Sequence, residues 1–160
     1  MPEKATLEKA KEDLREGKSP STAAGEFVHE EIEHVRQGKH GARSPQQAIA
    51  IGLSKARRAG IPLKPPRRGQ ASENTRTHAE RDYRRGRTSP RRKPSGRRSR
   101  ATEGALKRER RSSASRSALS RQGRSAARRR SRSSRSQAAR RAASTRMRRS
   151  HSNRGTRRSS

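Results

Sequence analysis

The chain contains no cysteine and no tryptophan, and Phe27 and Tyr83 are its only aromatic residues. Without cysteine there is neither a disulfide framework nor a thiolate metal site. With almost no aromatics, base-stacking platforms for single-stranded nucleic acid are missing. Hydrophobic residues make up 23% of the 160 positions, far below an ordinary globular domain. No apolar run approaches the roughly 20 residues that span a bilayer, so no membrane insertion is expected. The start, Met1-Pro2-Glu3-Lys4, lacks the apolar stretch of a secretory signal and is too acidic for a transit peptide, which leaves the cytoplasm as the expected compartment.

Positive charge is what the chain has in abundance. The formal net charge is +31, and residues 67–160 hold 33 Lys+Arg against five acids, Glu73, Glu80, Asp82, Glu103 and Glu109. Residues 1–40, by contrast, carry nine acids against seven Lys+Arg. Pro62, Pro65 and Pro66 lie between the two regimes and read as a stiff, non-helical connector.

The front third carries three sets of helix punctuation. The first helix spans Pro2 to Glu16, closed by Gly17, with a thin apolar face of Leu7, Ala10 and Leu14. The second, capped by Ser21 or Thr22, runs to about Gln37 and stops at Gly38. Its apolar face is Ala24, Phe27, Val28, Ile32 and Val35, and Glu26, Glu30, Glu31 and Glu33 occupy much of the solvated remainder. The third starts at the Ser44 cap with Pro45 at its first position and ends at Gly60; Ile49, Leu53 and Ala56 form its inner stripe, and Gly52 permits close helix approach.

Low hydrophobicity combined with high net charge predicts disorder for the rest. The expected fold class is therefore small all-α, two or three short helices with a helical hairpin, followed by a long intrinsically disordered basic tail. The expected organisation is a loosely attached N-terminal helix at 1–18, a helical hairpin at 19–61, a Pro-rich connector at 62–69 and a disordered Arg/Ser-rich tail at 70–160.

Gly38-Lys39, followed by the stretch Ser44-Pro45-Gln46-Gln47-Ala48-Ile49-Ala50-Ile51-Gly52-Leu53-Ser54-Lys55-Ala56, resembles the signature of a family of small bacterial and phage proteins classed as a domain of unknown function. The resemblance covers about residues 19–66. It implies a bacterial source and carries over no activity, and the Arg-Ser tail lies outside it, resembling histone and protamine tails in composition only.

Catalytic chemistry finds no support: there is no glycine-rich phosphate loop, no G-x-S-x-G elbow and no cysteine nucleophile, so no enzyme activity and no cofactor are expected. In the run His29-Glu30-Glu31-Ile32-Glu33-His34, the two histidines are five apart, about 140° around a helix, and cannot face one ion. The pairs His29–Glu33 and Glu30–His34 are properly spaced, but two ligands from one turn make a weak site, and no metal is expected.

The partner class follows from arginine, whose planar fork binds phosphate bidentately. Candidate contacts are diffuse: Arg57 and Arg58 at the end of the third helix; Arg67, Arg68, Arg91, Arg92, Lys93, Arg97 and Arg98 beyond it; Arg110, Arg111, Arg128, Arg129, Arg130, Arg140, Arg141, Arg148 and Arg149 further on. Thr88-Ser89-Pro90-Arg91-Arg92-Lys93 resembles the Ser-Pro-basic elements of histone tails, which present arginines to a narrow minor groove. The expectation is a non-enzymatic, nucleoid-associated, histone-like protein that binds DNA with little sequence preference. The competing reading is an RNA-binding or ribosome-associated protein or RNA chaperone. The front helices are left to supply a protein contact such as self-association.

Overall fold

A computed structural model describes residues 2–88 and 95–156, with side chains beyond Met147 outside the description. About three quarters of the described residues are helical. Its elements are α1 (Lys4–Arg15), α2 (Pro20–Arg36), α3 (Pro45–Arg58), α4 (Glu73–Thr88), α5 (Gly96–Lys107), a 3-10 turn (Arg111–Ala114), α6 (Arg116–Arg129) and α7 (Arg132–Thr156). The expected fold class of two or three helices and a disordered tail is thereby overturned: four further helices occupy the region read as disordered.

The physical reason lies in the serines. Ser72, Ser95, Ser115 and Ser131 each accept, through Oγ, the backbone N–H three residues on, at 3.2–3.4 Å. Each sits at the start of one of α4 to α7 and satisfies a donor that the first helical turn leaves without a partner. Between these caps stand arginine and alanine, among the strongest helix formers. Serine competes with the helix in its interior but starts it at the cap.

Residues 1–119 form one compact unit. Within it α1 packs on α2, α2 on α3 and α3 on α4. The first three helices end alike. Gly17, Gly38 and Gly60 have φ of 74°, 75° and 92°, the left-handed region that glycine alone enters without penalty. Each turn is closed by a pair of backbone hydrogen bonds, such as Gly38 N to Val35 O and Lys39 N to His34 O, which reverse the chain. Ser19 caps α2, one position ahead of Pro20 and upstream of the Ser21 or Thr22 expected. Ser44 caps α3 with Pro45 next, as the sequence indicates.

Two small cores result. Ala10, Ala23, Ala24, Phe27, Ala56 and Ile61 form one, flanked by Leu7, Leu14, Leu53, Ala59 and Leu63. Val35, Ala42, Ala48 and Ala114 form the other, beside Ile32. The alanines let backbones approach closely. A Cβ on Gly52 would stand 2.7 Å from the Cα of Val28, so α2 and α3 meet backbone to backbone there. A Cβ on Gly86 would collide with the Arg57 carbonyl where α4 meets the end of α3.

The end of α5 and the segment after it also join this unit. Gly41 N donates to Leu106 O (2.8 Å), Ala42 N to Arg110 O (3.2 Å) and Arg36 Nε to Ala114 O (3.0 Å). Residues 120–160 form a second unit, comprising most of α6 and α7.

Candidate nucleic-acid interface

The arginines singled out from sequence fall into three groups. Arg57 is buried at the end of α3, where its Nε donates to Leu63 O at 3.2 Å. Burial holds its guanidinium below the usual arginine range, partly opposed by Asp82. It supports the turn into residues 61–63. Arg58 is exposed but lies 3.7 Å from Asp82, whose other oxygen accepts from Ser54.

A second group is open to solvent: Arg67, Arg68, Arg97, Arg98, Arg110, Arg111, Arg128, Arg129, Arg130, Arg140 and Arg141. The third, Arg91, Arg92 and Lys93 with their Ser-Pro element, and the side chains of Arg148 and Arg149, lies outside the described residues.

Local neutralisation separates the basic helices. In α4, Arg76 pairs with Glu73, which draws the carboxyl below its usual range, and Arg84 lies 3.6 Å from Glu80. In α5, Lys107 pairs with Glu103 at 2.9 Å. Beyond Glu109 the sequence has no acid at all, while residues 110–160 contain 18 arginines. Residues 120–160 hold 15 of them.

Helical geometry orders these charges. Arg121, Arg124, Ser125, Arg128 and Arg129 line one shallow depression along α6. Arg121, Arg124 and Arg128 recur at spacings of three and four, so they stack on a single face, rising about 4.5 and 6 Å. On α7, Arg132, Arg135, Arg140, Arg141 and Arg146 are all exposed and point about 0°, 300°, 80°, 180° and 320° around the axis. Cations thus surround that helix.

Arg121 and Arg124 were missing from the sequence-based set. Their spacing to Arg128 is visible in the sequence, but it has meaning only once the segment is helical.

Phe27 is fully buried, and Tyr83 is covered by Arg87, whose guanidinium lies 5.5 Å from the ring centroid and donates to the hydroxyl at 3.0 Å.

A second cluster of chemistry lies in the first unit. Glu30 and Glu31, read from sequence as part of a solvated acidic face, are buried, with 6% and 1% exposure. Lys55 of α3 faces both, at 3.6 Å from Glu30 Oε1 and 2.5 Å from Glu31 Oε2. His40, returned by the Gly38 turn, places Nε2 3.2 Å from Glu31 Oε1, and its Nδ1 lies 3.1 Å from Gly41 O. The His34 ring stands edge-on to His40 with centroids 6.1 Å apart, and its Nε2 lies 3.1 Å from Glu3 Oε1. One donor atom from each of Glu31, His34 and His40 falls within 4.8 Å of the others. His29 is exposed and takes no part. His40 escaped sequence reasoning because it enters through a turn, outside the periodicity of α2.

Among the described residues no helix is long and apolar enough to cross a membrane. The chain matches no protein-family description, no curated protein and no solved structure.

Proposed function

We propose that the protein is a non-enzymatic, nucleoid-associated, histone-like DNA binder that acts through arginine–phosphate contacts with little sequence preference. The observation that carries this reading is the exposed arginine array of α6 and α7, set in a stretch that holds no acid after Glu109.

Such an array cannot neutralise itself and draws a polyanion. Each guanidinium that meets a phosphate releases a condensed counterion, and that entropy drives binding irrespective of base sequence. The face formed by Arg121, Arg124 and Arg128 suits the backbone of one strand. The all-round arginines of α7 suit two duplexes at once, which makes bridging, and so compaction, a natural consequence. With Phe27 buried and Tyr83 covered, base stacking has no obvious platform here. Phosphate contacts position a protein without reading sequence.

The test is the salt dependence of duplex binding by the full chain and by the triple variant Arg121→Gln/Arg124→Gln/Arg128→Gln. With about ten phosphates engaged, the wild-type log–log slope is near −9, and three lost contacts reduce its magnitude by about 2.7. An unchanged slope and affinity in the variant, or wild-type binding confined to one site among many duplexes, would refute the reading. Competition by double-stranded RNA tests the DNA assignment in the same assay: RNA outcompeting DNA at equal phosphate assigns the array to RNA.

A further inference from the structure

We propose that Glu31, His34 and His40 form a site for a divalent transition metal, with Zn2+ the best chemical match, that locks the α2–α3 turn. Glu31 and His34 stand three apart on one face of α2, and the Gly38 turn, with φ of 75°, swings His40 back against them. One donor atom from each lies within 4.8 Å of the others. Tetrahedral zinc with arms of about 2.0–2.1 Å sets its ligand atoms about 3.3 Å apart. His40 Nε2 and Glu31 Oε1 stand 3.2 Å apart, close to that edge.

The hydrogen-bond inventory points the same way. A carbonyl only accepts, so the contact to Gly41 O places a proton on His40 Nδ1. In the neutral ring Nε2 then presents a lone pair, and it is aimed at a carboxylate oxygen, another electron-pair donor. Glu31 is 1% exposed, and its Oε1 receives no hydrogen bond among the described residues. Lys55 lies against Oε2 and leaves Oε1 turned to His40. A cation between Oε1 and Nε2 removes the conflict. With His34 ligating through Nδ1, the outer shell has the form that metal-binding histidines use: a backbone carbonyl behind His40 and the Glu3 carboxylate, itself beside Lys39 at 3.4 Å, on Nε2 of His34. Two imidazoles and one carboxylate form a borderline-soft set that suits zinc, with water completing four-coordination.

The consequence is mechanical. The locked turn carries Gly41 and Ala42, whose N–H groups hold Leu106 and Arg110, so the metal would strengthen the docking of residues 106–114.

The experiment uses the full chain, stripped by a chelator and titrated with Zn2+ by calorimetry and with Co2+ by visible absorption. The expected result is one tight equivalent, with Co2+ bands of four-coordinate intensity. His40→Gln and His34→Gln lose affinity by more than the roughly tenfold that Glu3→Gln costs through the outer shell. His29→Gln binds as wild type. Circular dichroism on each variant checks that the fold persists, and hydrogen exchange at Gly41 and Ala42 slows on Zn2+ addition to wild type only. If the cation is instead a proton on His40, Zn2+ binds wild type no better than His40→Gln, and the proposal fails. Weak binding of several equivalents, reduced equally by His29→Gln, also overturns it.

Discussion

Gly25 and Gly52 lie inside adjacent helices, yet the same substitution at each is expected to act in opposite directions. In α2, Gly25 is exposed, and a Cβ there would meet nothing within 4 Å. Gly25→Ala therefore gains helix propensity alone, about 0.5–1 kcal/mol of stability. In α3, a Cβ on Gly52 would lie 2.7 Å from Val28 Cα and 2.9 Å from both Phe27 O and Val28 N. All three are backbone atoms, which cannot rotate aside. Ordinary carbon contacts are about 3.5–4.0 Å, so α2 and α3 must part by nearly 1 Å. Overpacking of this kind costs about 1–3 kcal/mol, and a backbone contact belongs at the upper end. After subtracting the same propensity gain of about 1 kcal/mol, Gly52→Ala destabilises by about 1–2 kcal/mol. The assay is urea unfolding followed by far-UV circular dichroism, supported by thermal melts in which 1 kcal/mol corresponds to roughly 4 °C. Shifts of the same sign in both variants, or a neutral Gly52→Ala, would refute the close α2–α3 contact.

The other expectations concern charge. Lys55→Met leaves the buried carboxylates of Glu30 and Glu31 without the ammonium that lies against both; breaking a buried pair on one side costs about 3 kcal/mol or more. Adding Glu31→Gln should recover much of that loss in denaturant titrations, and no recovery would show that the pair is not the cause. At Glu73, Arg76 holds the carboxyl below its usual range. A depressed carboxyl contributes stability that is present above its ordinary value and lost as pH falls through the folded one. Glu73→Gln should therefore reduce helicity slightly at neutral pH, with the difference from wild type closing in acid; a gap that persists in acid would assign the effect to something other than this ion pair.

Much of the first unit was legible because its signals are local. Gly17, Gly38 and Gly60 end helices for a reason internal to each residue, Ser44-Pro45 announces α3, and the lack of a side chain at Gly52 foretells close approach. Glu30 and Glu31 were misplaced because an acidic residue reads as solvated until its partner is known, and Lys55 lies 24 residues downstream of Glu31. The docking of residues 106–114 is equally non-local. It rests on Gly41, Ala42 and Ala114, which carry no periodic signal. Beyond Pro66 the error was one of weighting. Low hydrophobicity and high net charge point to disorder, a rule of composition that takes no account of where the serines stand. Their placement at 72, 95, 115 and 131 makes those four initiators. The arginine face of α6 became visible only with that change.

The arginines that encircle α7 also bear on how this chain can vary between lineages. A helix that buries a stripe must keep its register, since one inserted residue turns every later side chain by about 100°. On α7 such a rotation replaces one cationic face by another. Insertions and deletions there alter the number of charges presented without altering their kind, so length itself becomes a graded trait open to selection. The first unit has no such freedom: Gly41, Gly52 and Gly86 each fix a spacing at which backbones touch. Comparison of natural variants should therefore find gaps of arbitrary length within α7 and almost none between Ser19 and Gly60.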